Sequence, residues 1–411
     1  MTTAVEFIGP EIAPERQIAR RETAGDARVL ELDGLRGLAI VMVVAFHYLY
    51  FVSVRGYQAQ SLPARLYLYF ERIVGLGWSG VDLFFVLSGF LIGGILLDAR
   101  GSRSYFSTFY ARRFYRIIPL YFVWIGAFVA GSYALRALIP AHAADFGFGW
   151  GLLPAQFLFL QNIGFVSYGV LARPWLGQTW SLAVEEQFYL VSPIFVRALS
   201  RRTLYAGLGL VVAMAPLWRL WVRAHQFPFA NDLGWAYTLM PSRADALCLG
   251  ILVALLWKDD AARAWCRSHR KILAAASGIF ALGIIPVASA SPGMWPAAHS
   301  SAMQSIGYSC FAFFYASILV LVLSHPAGVV ASVLRATLLR KIGKVAYCLY
   351  LIHEMVGLAA QTLLRAVVPH AAMWQSLLAS LVAAAVAYGI ANISWRYFEQ
   401  PLVVRGHAFK Y

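Results

Sequence analysis

The 411-residue sequence predicts an all-α integral membrane protein: a bundle of ten spanning helices plus a re-entrant or surface-lying segment near residues 150–170. Three observations carry that prediction. Hydrophobic residues make up 60% of the chain and charged residues only 13%, too few to coat a soluble domain of this size. Apolar windows of spanning length recur from residue 34 to residue 395. The basic residues gather between those windows, so the net charge of +15 is a topology signal and does not point to nucleic acid.

Residues 1–31 are polar and charged, lack the apolar stretch of a signal peptide, and read as a cytoplasmic tail. The windows that follow lie at 34–54, 76–97, 117–138, 150–170, 178–198, 203–222, 236–257, 272–290, 302–324, 342–364 and 374–395. Arg16, Arg20, Arg21 and Arg28 put the N-terminus inside. The loop holding Arg100, Arg103, Arg112, Arg113 and Arg116 also belongs inside, which fits two spans between them. If 150–170 crossed as well, Arg197, Arg201 and Arg202 would fall outside and every later loop would be inverted. Its Gln161, Asn162 and glycines also make it a poor span. With that window excluded, the basic loops 258–271 and 335–344 fall inside, and 291–301, without Lys or Arg, falls outside. The membrane domain then covers 32–402, and a short cytoplasmic tail covers 403–411 with Arg405 and Lys410. Cys248, Cys266, Cys310 and Cys348 are scattered without metal-ligand spacing and read as small buried hydrophobes, so no metal is expected.

Ionisable residues inside spans are expensive and mark functional sites. The first window carries two, Arg36 and His47. Eleven residues at about 100° each bring them onto one face of a helix, about 16 Å apart along its axis. Asp82 heads the second window; Gly89 and Gly93 follow at i+7 and i+11, so this face packs closely and turns Asp82 into the bundle. Glu185 and Glu186, Arg243 and Asp245, and His353 and Glu354 fall at comparable depths in three other windows. Arg243 and Asp245 differ by about 200° around their helix, so both cannot face one narrow site.

The blocks GVDLFFVLSGFLIGGIL, YARRFYRIIPLYF, TWSLAVEEQFYL, SRADALCLG, AYCLYLIHE and RYFEQPL, together with Arg-x10-His at Arg36 and His47, occur in the order found in the membrane acyltransferase-3 family. The chain resembles that family from Leu32 to Leu402, and its bacterial members O-acetylate O-antigens and exopolysaccharides. The resemblance implies transfer of an acyl group, usually acetyl, from cytoplasmic acyl-CoA to a hydroxyl of a carbohydrate or glycolipid, in a bacterial inner membrane. It also implies that Arg36 and His47 are required.

On that reading His47 is a general base toward the acceptor hydroxyl, or else a nucleophile that carries the acyl group itself. Arg36, Arg112, Arg113 and Arg116 are candidates for the donor's phosphates. Asp82 or Glu185 is expected to orient His47, with Asp82 preferred. Glu186, Trp180, Arg243, Tyr350, His353 and Glu354 are expected to line the cavity or hold the acceptor, and Trp78, Trp175 and Trp180 to stack on sugar or anchor at the interface. Glu399 is expected to cap a helix or pair with Arg396. A secondary transporter using Asp82, Glu185 and His353 is the alternative class; no repeat symmetry between the halves favours it.

Overall fold

The structure is a computed structural model and describes residues 29–53, 73–138, 153–163, 176–225, 235–289 and 300–411. The basic N-terminal stretch, Trp175 and most of the expected external loop 291–301 lie outside the described residues. Among the described residues there is no strand.

The helices that position the site are α1 (Leu30–Ser53), α2 (Gly80–Asp98), α3 (Tyr105–Leu138), the short α4 (Leu153–Phe157) and α5 (Trp180–Ala198). They continue with α6 (Arg201–His225), α7 (Met240–Trp257), α8 (Arg270–Ser289), α9 (Tyr308–Ser324) and the short α10 (Thr337–Lys344). The last three are α11 (Ala346–Val367), α12 (Met373–Ser394) and α13 (Gln400–His407). Nine helices among the described residues are long and apolar enough to cross a membrane. The tenth is α5. Its 19 residues reach about 28 Å at 1.5 Å each, but Glu185, Glu186 and Arg197 make it more polar than the others.

The 150–170 window does not form a spanning helix where it is described. Its side-chain amides instead bond to neighbours inside the bundle. Tyr121 donates to Gln156 Oε1 at 2.6 Å, Gln161 donates to the Thr179 carbonyl at 3.0 Å, and Asn162 donates to the Thr238 carbonyl at 3.1 Å. Between them Phe159 turns the chain at φ 53°, and its carbonyl accepts from Gln187 at 2.8 Å. Irregular backbone at membrane depth is tolerable where protein covers it in this way.

The bundle centre is the contact of α2 with α7. A Cβ on Gly89 would stand 2.0 Å from the Leu247 carbonyl oxygen, and one on Gly250 would stand 2.2 Å from that of Val86. Only hydrogen fits there, so this glycine face packs as its spacing predicts, and it draws Asp82 to 1% exposure.

Candidate active site

His47 and Glu354 face each other across α1 and α11, with His47 Nε2 3.0 Å from Glu354 Oε1. His353, one residue before Glu354, places Nε2 3.2 Å from His47 Nδ1 and Nδ1 2.7 Å from the Tyr350 carbonyl. A carbonyl only accepts, so His353 carries its proton on Nδ1 and leaves Nε2 bare. His47 Nδ1 then faces two acceptors, His353 Nε2 and the Val43 carbonyl at 2.9 Å, and donates to them. His47 Nε2 is then the nitrogen that faces Glu354. Tyr48 fixes the pairing of the two helices by donating to the His353 carbonyl at 2.9 Å.

Donor atoms of His47, His353 and Glu354 lie within 4.8 Å of one another, close enough to hold a metal ion. Yet His353 and Glu354 meet opposite nitrogens of the His47 ring. The geometry is that of a proton chain running from the Tyr350 carbonyl to a carboxylate.

A cavity of about 320 Å³ leads toward this chain. Its wall on α2 runs from Ile95 to Val81, which is about 21 Å of helix. Arg36, Arg113, Arg116, Lys344 and His407 line it together with Ser88, Glu185 and Tyr189, and on α11 the wall ends at Tyr350. Glu354 is one helical turn further, about 6 Å along the axis. His47 itself does not line the cavity; its side chain is 22% exposed.

The expected site residues separate into distinct groups. Asp82, preferred as the partner of His47, is bound instead by Arg243 at 2.6 Å. Buried Arg243 exerts the stronger pull on a buried carboxylate. The rings of Tyr308, Tyr237, Phe85 and Trp180 surround that arginine at 4.3, 5.2, 5.8 and 5.9 Å. Trp78 and Trp180 are therefore buried packing residues, 2% and 5% exposed, and not sugar platforms or interfacial anchors. Asp245 points the other way, as the 200° offset requires, onto Arg219 at 2.9 Å. Sequence reasoning missed Arg219; a lone arginine in the apolar run of α6 was the available signal.

Glu185 lines the cavity and bonds to Ser88, with no hydrogen bond to His47. Glu186 is turned out of the cavity and keeps one buried oxygen without a hydrogen-bond partner. Arg113 and Arg116 reach the cavity; Arg112 does not, because the Phe409 carbonyl accepts from it at 2.7 and 3.0 Å and the Tyr411 ring lies beneath it. Glu399 accepts from Ser394 at 2.9 Å and joins the cavity wall, where a helix cap or a pairing with Arg396 was expected. Val403 and His407, placed by sequence in a tail, are helical and also form wall. Arg36 lines the mouth with its guanidinium on Asp33 at 2.8 Å.

A helical membrane bundle with a His–Glu pair beyond the end of a basic-mouthed cavity has the makings of a membrane-embedded group-transfer protein. The chain belongs to the acyltransferase-3 family, whose acyltransferase domain matches residues 29–394. It is 27% identical over 390 residues to the peptidoglycan O-acetyltransferase OatA of Listeria monocytogenes, covering 92% of this chain and 56% of that protein. It is 25% identical to the putative peptidoglycan O-acetyltransferase YrhL of Bacillus subtilis, over 91% of this chain and 55% of the relative. The O-acetyltransferase OatA of Staphylococcus aureus is also 25% identical, over 91% and 57%. The chain thus spans a little over half the length of these curated relatives. No solved structure matches it.

Proposed function

We propose that this protein is a membrane O-acyltransferase that moves an acetyl group from acetyl-CoA to a hydroxyl of a cell-envelope glycan. The relatives support the acetyl group and a peptidoglycan-like acceptor. The donor reading is supported by the cavity, whose mouth presents Arg36, Arg116 and Lys344, with Arg113 further along its wall. Guanidinium groups suit the phosphates of coenzyme A, and the long apolar wall suits its extended arm. Positive charge clustered at this end also supports a cytoplasmic mouth.

The observation that carries the mechanism is the 3.0 Å contact of His47 with Glu354, one turn past the end of the cavity. The acceptor hydroxyl gives its proton to this pair as its oxygen attacks the thioester carbonyl. The new C–O bond forms, the C–S bond breaks, and the thiolate leaves and regains a proton as free thiol. Glu354 holds His47 in orientation and balances its charge once the ring is protonated.

The test uses purified protein in nanodiscs with acetyl-CoA and a soluble peptidoglycan oligosaccharide, reading free thiol and acetylated sugar together. The wild type is expected to form both in equal amounts. His47→Ala and Glu354→Gln should each lower kcat by roughly 10²- to 10⁴-fold. Activity that survives His47→Ala would overturn the mechanism.

A further inference from the structure

Midway along the cavity the apolar wall is interrupted. Ser88 of α2 and Glu185 and Tyr189 of α5 meet there as one hydrogen-bonded group, with the Ser88 and Tyr189 hydroxyls in direct contact and Glu185 bonded to Ser88. Ser88 is seven residues from Val81 and seven from Ile95, about 10 Å from either end of the α2 wall. Phe84, Leu87, Leu91, Ile92 and Leu182 surround the group. A polar station in an apolar passage costs stability unless something uses it.

With Glu185 ionised the hydrogens run one way: a carboxylate only accepts, so Ser88 donates to Glu185 and Tyr189 donates to Ser88. What remains toward the passage is acceptor capacity: the free lone pairs of Glu185 and one on Tyr189. Such a station recognises an N–H donor. Arg113 lines the same passage, and its Nε is buried without a hydrogen-bond partner. Acceptors on one side and an unused donor near them match a secondary amide, which presents N–H along one edge and C=O along the other.

We infer that Ser88, Glu185, Tyr189 and Arg113 form a subsite for the amide groups of the donor's carrier arm. This rests on the acyl-CoA reading above and extends it: an arm carrying amides between its phosphates and its sulfur is held at mid-passage, which sets how far the thioester advances toward His47. Glu185 is on this account a donor-specificity residue and takes no part in proton transfer.

The test is equilibrium binding to the full-length protein in nanodiscs, with coenzyme A and adenosine 3′,5′-bisphosphate as probes. The second probe lacks the arm, so the ratio of the two Kd values isolates the arm's contribution. Glu185→Met should weaken coenzyme A about tenfold or more and leave the bisphosphate within about twofold. Glu185→Gln keeps an accepting carbonyl in the same shape and should fall between wild type and Met. It also serves if the Met variant fails to fold. A ratio unchanged in the variant that folds would overturn the subsite, as would equal weakening of both probes. Failure of coenzyme A to bind the wild type would instead remove the donor reading beneath it.

Discussion

Between Tyr350 and Glu354 one turn of α11 presents a carbonyl, an imidazole and a carboxylate to His47, directly or through His353, and this order decides where the protons sit. His353 acts on His47 by position, giving Nδ1 an acceptor so that Nε2 is the nitrogen left for exchange with Glu354. Replacing it as His353→Phe keeps a ring of similar size and removes that acceptor. kcat should fall roughly 10- to 100-fold, the range for losing a group that orients an imidazole, with KM little changed. Nitrogen-15 spectra of histidine-labelled protein supply the specific check: the His47 Nδ1–H resonance should shift as it loses the His353 acceptor and keeps only the Val43 carbonyl. Asp82→Asn tests a different role. It strands buried Arg243 without a counter-charge, which costs about 3–5 kcal/mol, so the thermal midpoint should drop while kcat per folded molecule stays close to wild type. His47 and Arg36 were legible in the sequence because helical spacing alone puts them on one face. Asp82 as the partner of His47 was not, since six other ionisable groups fell at similar depth and only the packing of α2 on α7 brings Arg243 to it.

At the scale of elements, charge pattern and window length were enough to find nine of the ten expected spans as long apolar helices, and 150–170 forms no spanning helix where it is described. The short α13 was not legible, because its eight residues bury little besides Gly406 and resemble any basic surface helix. Its placement matters, for the residues after it occupy Arg112 and leave Arg113 and Arg116 to the cavity. Three arginines that look interchangeable in sequence should therefore behave differently. Arg116→Ala should raise KM for acetyl-CoA roughly 10- to 100-fold, the loss of a charged hydrogen bond to phosphate. Arg112→Ala should leave that KM within about threefold and instead lower the melting temperature, by releasing the Phe409 and Tyr411 contacts. Steady-state kinetics and thermal unfolding on the same preparations separate the two.

For the whole molecule, the basic residues serve two ends at once. By the charge rule they orient the helices in the bilayer, and several of them line the cavity, so on the proposed reading orientation and donor supply are set by the same charges. The proposed reaction requires that the donor reach the passage from one face only. Sealed vesicles make this measurable. Inverted vesicles, with the basic loops outward, should release thiol from added acetyl-CoA at once, and right-side-out vesicles should do so only after permeabilisation. Adding salt should raise the donor KM in the inverted vesicles, since phosphate contacts at an open mouth are screened with a Debye length of about 8 Å at physiological ionic strength. Equal activity in both sealed preparations would mean that the basic end does not receive the donor. The His47–Glu354 pair would then have to be reached through its exposed edge rather than along α2.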